Sequence, residues 1–124
     1  MRKISGLLML VLVLCLAVPA FSFSGGKLSN AMNSAALAGQ NITKIMHLPE
    51  PWANPMYLTM INNLSDAWAV IDREIASIKT PQDIANARAI VNNYKSLTGT
   101  YRDLGHQVEI SLEKQIKFLE IHGN

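Results

Sequence analysis

Residues 54–79 have the sequence NPMYLTMINNLSDAWAVIDREIASIK, and their apolar pattern predicts a long helix. Seven apolar side chains recur along it at alternating intervals of four and three residues: Tyr57, Ile61, Leu64, Trp68, Ile71, Ile75 and Ile78. This spacing places them on one face of a helix and is typical of a helix that packs lengthwise against another. Asn54 can cap the first turn, and Pro55 suits the first helical position because it lacks the N–H that a helix start leaves unpaired. We therefore expect a helix over residues 55–79.

Another helix is expected before this stretch, over residues 28–46. Its apolar or small residues also recur every three or four positions: Leu28, Met32, Ala35, Ala38, Gly39, Ile42 and Met46. Because several of them are alanine or glycine, a neighbouring helix can approach this face closely. Between the two helices, Pro49, Pro51 and Pro55 exclude regular helix and favour an extended, stiff connection.

A third helix is expected directly after residue 79. Thr80 can serve as its N-cap, Pro81 as its first residue, and Asp83 as the acidic partner of a capping box. Because the link is so short, we expect the second and third helices to be antiparallel neighbours.

The apolar pattern of the third helix continues much further than its partner extends. It comprises Ile84, Ala87, Val91, Tyr94, Thr98, Tyr101, Gly105, Val108, Leu112, Gln115 and Leu119. Because the pattern keeps its phase, an unbroken helix over residues 81–121 is favoured, with an apolar overhang that another chain would cover. The alternative is a turn at Gly99, followed by a second capping box of Thr100 and Asp103, which would fold the last helix back onto a monomeric bundle.

The sequence therefore indicates an all-α fold, either a small helical bundle or a long antiparallel helical hairpin with an additional N-terminal helix. Its helices number three, or four if the chain breaks at Gly99. We expect a single domain over residues 27–124, preceded by a flexible lead-in over residues 21–26 (FSFSGG).

The N-terminus has the features of a secretory signal peptide over residues 1–20. Arg2 and Lys3 precede an uncharged, mostly aliphatic run over residues 7–20, which is shorter than the roughly 20 residues of a membrane-spanning helix. Small residues at the end of this run allow a cut after Ala20 or after Ser22. The alternative is that the segment stays attached as a membrane anchor.

Cleavage would change the length, net charge and cysteine content of the working protein. Without residues 1–20 the chain has 104 residues, as many Lys and Arg as Asp and Glu, and no cysteine. Neutral charge gives no support to nucleic-acid binding, which needs clustered positive charge. The expected location is the bacterial periplasm or the exterior, with no membrane insertion after cleavage.

The sequence predicts no catalytic residue, metal site or cofactor, and hence no enzyme. His106, Glu109 and Glu113 share one side of a helix and could ligate a metal. However, no Glu-x-x-His pair exists, and Glu113 stands four residues before Lys117, as in an ordinary surface ion pair. Haem attachment, nucleophile-elbow and phosphate-loop motifs are also absent from the sequence.

Six residues are instead candidates for contact with a partner: Trp52, Tyr94, Tyr101, Val108, Leu112 and Leu119. Trp52, between prolines, is either an interface anchor or, as we favour, a plug at the end of the bundle. The other five lie on the apolar face of the third helix. We expect a protein partner or a second copy to bind through this helix.

Taken as a whole, the sequence predicts an exported, non-catalytic structural or adaptor protein of the bacterial cell envelope that acts through helix–helix contacts. Its order of signal, polar first helix and helical hairpin is similar to that of minor pilus subunits of type IV secretion systems, although no sequence motif supports the likeness. This layout suggests a secretion or pilus assembly as the setting. The alternative is a periplasmic ligand-binding or sensory bundle, with a small molecule between helices near Trp68 and Tyr94.

Overall fold

The computed structural model describes residues 22–122, which form four helices and no strand. Helix α1 spans Gly25–Met46, α2 Pro55–Ala76, α3 Pro81–Lys95 and α4 Gly99–His122, with a short 3-10 helix at Pro51–Ala53. The predicted all-α bundle is confirmed. The predicted signal peptide lies outside the described residues.

The starts of α2 and α3 lie where the sequence predicted them. The Asn54 side chain accepts a hydrogen bond from the Met56 N–H at 2.8 Å. Thr80 Oγ1 accepts one from the Asp83 N–H, and the Asp83 carboxylate accepts one from the Thr80 N–H, which completes the capping box. Local side-chain hydrogen bonds therefore set both starts.

The bounds of two helices differ from the prediction: the last residue of α2 and the first residue of α1. Helix α2 ends at Ala76 rather than Lys79, since the chain turns there and buries Ile78 completely. Helix α1 begins at Gly25, because Ser24 caps it by accepting a hydrogen bond from the Lys27 N–H. Gly25 and Gly26, which we expected in a flexible lead-in, thus form the first turn of α1.

The helices pair as two hairpins, α1 with α2 and α3 with α4. The prediction that the second and third helices would be close neighbours is therefore wrong. The small residues of α1, among them Ala31, Ala35 and Ala38, let α2 pack along it. The α3–α4 hairpin then packs mainly against α1, and Gln115 of α4 donates a hydrogen bond to the Ile78 carbonyl at the end of the first hairpin.

The favoured unbroken third helix is also wrong. Helix α3 ends at Lys95, and α4 begins at Gly99, whose φ of +64° lies in the left-handed region that glycine adopts without strain. The turn does not interrupt the regular spacing of apolar residues, because Tyr94 and Tyr101 on its two sides face the same core. The second capping box does not form, since Thr100 Oγ1 is buried without a hydrogen-bond partner.

One apolar core joins all four helices. Its buried members are Leu28, Ala31, Met32, Ala35, Ala36, Ala67, Ile71, Ile75, Ile78, Ala87, Val91, Tyr94, Leu104, Val108, Leu112 and Ile116. On α1 this core ends at Ala36, and on α2 it begins with the half-buried Leu64. The first hairpin therefore extends beyond the four-helix region at its connected end.

Candidate functional site

We call the part of the first hairpin beyond the core, residues 40–63, the arm. It contains the last two turns of α1, the connection and the first nine residues of α2. None of its residues belongs to the core cluster. The base of the arm is marked by Gly39, where the Thr100 methyl group lies 3.8 Å from the position of an added Cβ. The arm therefore projects from the bundle as two helices.

The surface of the arm has many large apolar side chains and few charges. Five of the ten exposed large apolar side chains among residues 22–122 lie on it: Met46, Leu48, Trp52, Met56 and Leu58. Lys44 and Glu50 are its only Lys, Arg, Asp or Glu residues. Exposed apolar side chains concentrated in one region are typical of a surface that binds something, whereas scattered ones need no explanation.

Trp52 forms the tip of the arm and is 74% exposed. The expectation that it plugs the end of the bundle is wrong. Glu50 adopts a left-handed conformation with φ of +50°, Pro51 is buried, and the Ala53 and Asn54 N–H groups bond back to the carbonyls of Glu50 and Pro51. This hydrogen-bonded turn, rather than packing of the indole, holds Trp52 outward.

A groove of about 530 Å³ runs between α1 and α2, from the core region onto the arm. Its lining consists of Asn30, Ala31, Ser34, Leu37, Ala38, Asn41, Met60, Asn63, Asp66, Ala67 and Val70. Apolar side chains are thus flanked by amides, and Asn41 Nδ2 lies 3.6 Å from Met60 Sδ. Neither Trp68 nor Tyr94, where the alternative function placed a small molecule, lines this groove.

The candidate contact residues on the predicted third helix mostly serve the core of this chain. Tyr94, Val108 and Leu112 are buried, while Tyr101 and Leu119 are half-buried against the core. The two tyrosine rings stack with centroids 6.2 Å apart, and the Tyr94 hydroxyl donates a hydrogen bond to the Ser29 carbonyl. Since the chain turns at Gly99, the apolar overhang that was to bind a partner does not exist.

The carboxylates beside His106 are paired with cations of α3. Glu109 accepts a hydrogen bond from Lys95 Nζ, and Glu113 pairs with Arg88 at 2.6 Å rather than with Lys117 as expected. The hydrogen bond from Lys95, together with its charge, lowers the pKa of the Glu109 carboxyl below its ordinary value. These pairs link α3 to α4.

One acidic side chain is buried. Glu74 of α2 is 4% exposed, and its Oε1 accepts a hydrogen bond from the Ser24 N–H at 2.8 Å. This contact lies at the N-terminal end of α1, whose first turn contains no acidic residue of its own. The carboxylate thus lies where the unpaired N–H groups of a helix create partial positive charge.

Comparisons of the chain with models of known families, with curated proteins and with solved structures found no match. Over residues 22–122, no helix is both long and apolar enough to cross a membrane.

Two features were not predicted from the sequence: the apolar side chains on the arm surface and the burial of Glu74. The proline-rich connection around Trp52 already marked this part of the chain as unusual. Whether Trp52 is exposed, however, depends on where the second hairpin ends. Glu74 stands next to Ile75 of the apolar pattern, and only its pairing with Ser24, 50 residues earlier, gives it a role.

Proposed function

We propose that this protein is an exported, non-catalytic adaptor or structural component of a bacterial cell envelope, which binds a protein partner through its arm. The observation that carries this proposal is the concentration of exposed apolar side chains on a nearly uncharged, projecting hairpin. The signal-peptide pattern of residues 1–20 supports export.

The composition of the arm favours a protein partner over a membrane surface. Interfaces between proteins are enriched in aromatic residues and methionine and depleted of charge at their centres. Helices that lie on membranes instead use Lys and Arg to attract anionic lipids. The arm has Trp52, Met46 and Met56 on its surface and only one lysine, Lys44, so it resembles the first class.

The geometry also suggests how binding would proceed. Trp52, held outward by the hydrogen-bonded turn, would act as the anchor, because large aromatic side chains dominate the energy of many interfaces. The flanking Leu48 and Met56 would surround it and exclude water. The groove between α1 and α2 could bind an additional helix, since the small residues that line the groove permit close approach. Secretion and pilus assemblies are settings in which such contacts are needed.

Photo-crosslinking in cells tests this proposal. A benzophenone amino acid replaces either Leu58 on the arm, which is 65% exposed, or Ile110 on α4, which is 58% exposed and serves as the matched control. We expect a discrete adduct of higher mass from position 58 and none from position 110. In a Trp52→Ser background the adduct at position 58 should weaken at least severalfold, since the anchor is gone.

Adducts of equal yield at the two positions, or none at the arm, would contradict the proposal. The mass of the adduct distinguishes a second copy of this chain from a different envelope protein. Light scattering on the mature protein gives an independent measure of self-association.

A further inference from the structure

The buried carboxylate of Glu74 lacks a partner of full positive charge among the described residues. Moving a carboxylate out of water is unfavourable unless a positive charge or several hydrogen bonds compensate. The hydrogen bond that it accepts comes from the Ser24 N–H, at the partially positive end of α1. The ion pairs within residues 22–122 join Arg88 with Glu113 and Lys95 with Glu109, and neither includes Glu74.

A positive charge arises next to Glu74 if the signal peptide is removed at the later of its two candidate sites. Hydrolysis of the Ser22–Phe23 peptide bond by water leaves a carboxylate on Ser22 and an α-ammonium group on Phe23. One residue spans at most about 3.8 Å, so this ammonium lies close to the Ser24 nitrogen that already bonds to Glu74. Opposite charges within about 4–6 Å stabilise each other.

The Phe23 side chain holds this end of the chain in place. It is half-buried and packs against the core, while Ser24 caps α1 through its hydroxyl. A cut after Ala20 would put the ammonium on Phe21 instead, two residues further from Glu74. The two candidate cleavage sites therefore differ in whether the new charge can reach the buried carboxylate.

We propose that the chain is processed between Ser22 and Phe23, and that Glu74 binds the α-ammonium group which this cleavage creates. The inference rests on the export that forms part of the proposed function, but not on the arm. Glu74 then serves as an internal counter-ion for the mature N-terminus, and the folded state gains an ion pair that the precursor lacks.

The first test is the N-terminus of the exported protein, determined by intact mass and N-terminal sequencing after expression of the full chain. Phe23 as the first residue is expected. Phe21 as the first residue would overturn this proposal and leave export intact. A chain that keeps residues 1–22 would overturn this proposal, because the segment would then stay attached as a membrane anchor. Full-length protein found only in the cytoplasm would also overturn the export on which the proposal rests.

The second test measures the ion pair by a double-mutant cycle on the protein that begins at Phe23. The α-amino group is left free or acetylated, in combination with Glu74 or Glu74→Gln, whose amide oxygen can still accept the Ser24 N–H. With Glu74 present, we expect acetylation to raise the unfolding equilibrium constant about tenfold, because it removes the charge that the carboxylate binds. In the Glu74→Gln protein acetylation should have little effect, because the carboxylate that binds the ammonium is gone.

An equal effect of acetylation in both proteins would overturn the proposal. If Glu74→Gln does not fold, a chain that begins at Phe21 replaces it in the comparison. Its ammonium is displaced by two residues, so it should unfold as readily as the acetylated protein that begins at Phe23. A chain beginning at Phe21 that is as stable as the free-amine chain beginning at Phe23 would contradict the proposed role of Glu74.

Discussion

At Gly105, helix α4 approaches the end of α3 so closely that no side chain fits. A Cβ at this position would lie 2.8 Å from the Lys95 backbone nitrogen and 3.1 Å from the Tyr94 carbonyl carbon. Both atoms belong to backbone, which cannot move aside as the end of a flexible side chain can. The contact between the two helices of the second hairpin therefore depends on the absence of a side chain at one residue.

Gly105→Ala should consequently destabilise the protein, although alanine is the better helix former. We expect a net loss of about 1–2 kcal/mol, since overpacking costs about 1–3 kcal/mol and the propensity gain returns about 0.5–1 kcal/mol. Gly39→Ala is the matched control. Its Cβ would meet Thr100 at an ordinary 3.8 Å, so stability should rise by up to about 1 kcal/mol. Urea unfolding followed by circular dichroism measures both, and equal effects would refute the close-approach argument.

Among the helices, local signals were predictable and long-range choices were not. Asn54, Thr80 and Asp83 specify the starts of α2 and α3 through hydrogen bonds within four residues, so the sequence alone locates them. The turn at Gly99 was predicted only as the less favoured alternative, because the apolar pattern passes through it in phase. The pairing of α1 with α2 depends on which apolar helix faces of the whole chain fit together best. The exposure of the arm and the burial of Glu74 follow from that pairing. No residue pattern within one helix contains this information.

The link between α3 and α4 through Lys95 and Glu109 should make stability depend on pH. Lys95 lowers the pKa of the Glu109 carboxyl in the folded state, so the pair stabilises the fold at pH values above the ordinary carboxyl pKa. This stabilisation is lost as the pH falls through the lowered value. Urea midpoints should therefore differ between the native protein and Glu109→Gln at neutral pH and converge in acid. In a Lys95→Met background the difference at neutral pH should be much smaller, because only the weaker attraction of His106 and Arg88 remains. An unchanged difference there would assign the effect to another partner.

In the whole molecule, the apolar side chains that stabilise the fold lie in the core, whereas many of the exposed ones lie on the arm. The core accounts for the packing of all four helices, and the arm contributes none of its members. Apolar side chains on the arm surface therefore bring little stability, while they carry a risk of aggregation. Their presence is understandable if they bind a partner, which is the basis of the proposed function.

This division predicts that substitutions on the arm surface leave stability nearly unchanged. Trp52→Ser and Leu58→Ser should each shift the free energy of unfolding by no more than about 0.5 kcal/mol, as expected for exposed positions. Ile71→Ala in the core should cost about 2–5 kcal/mol, because it leaves a cavity among fully buried side chains. Thermal and urea unfolding of the three variants provide the comparison. A loss for Trp52→Ser as large as that for Ile71→Ala would mean that the indole stabilises the fold, and the apolar arm would then need no partner to explain it.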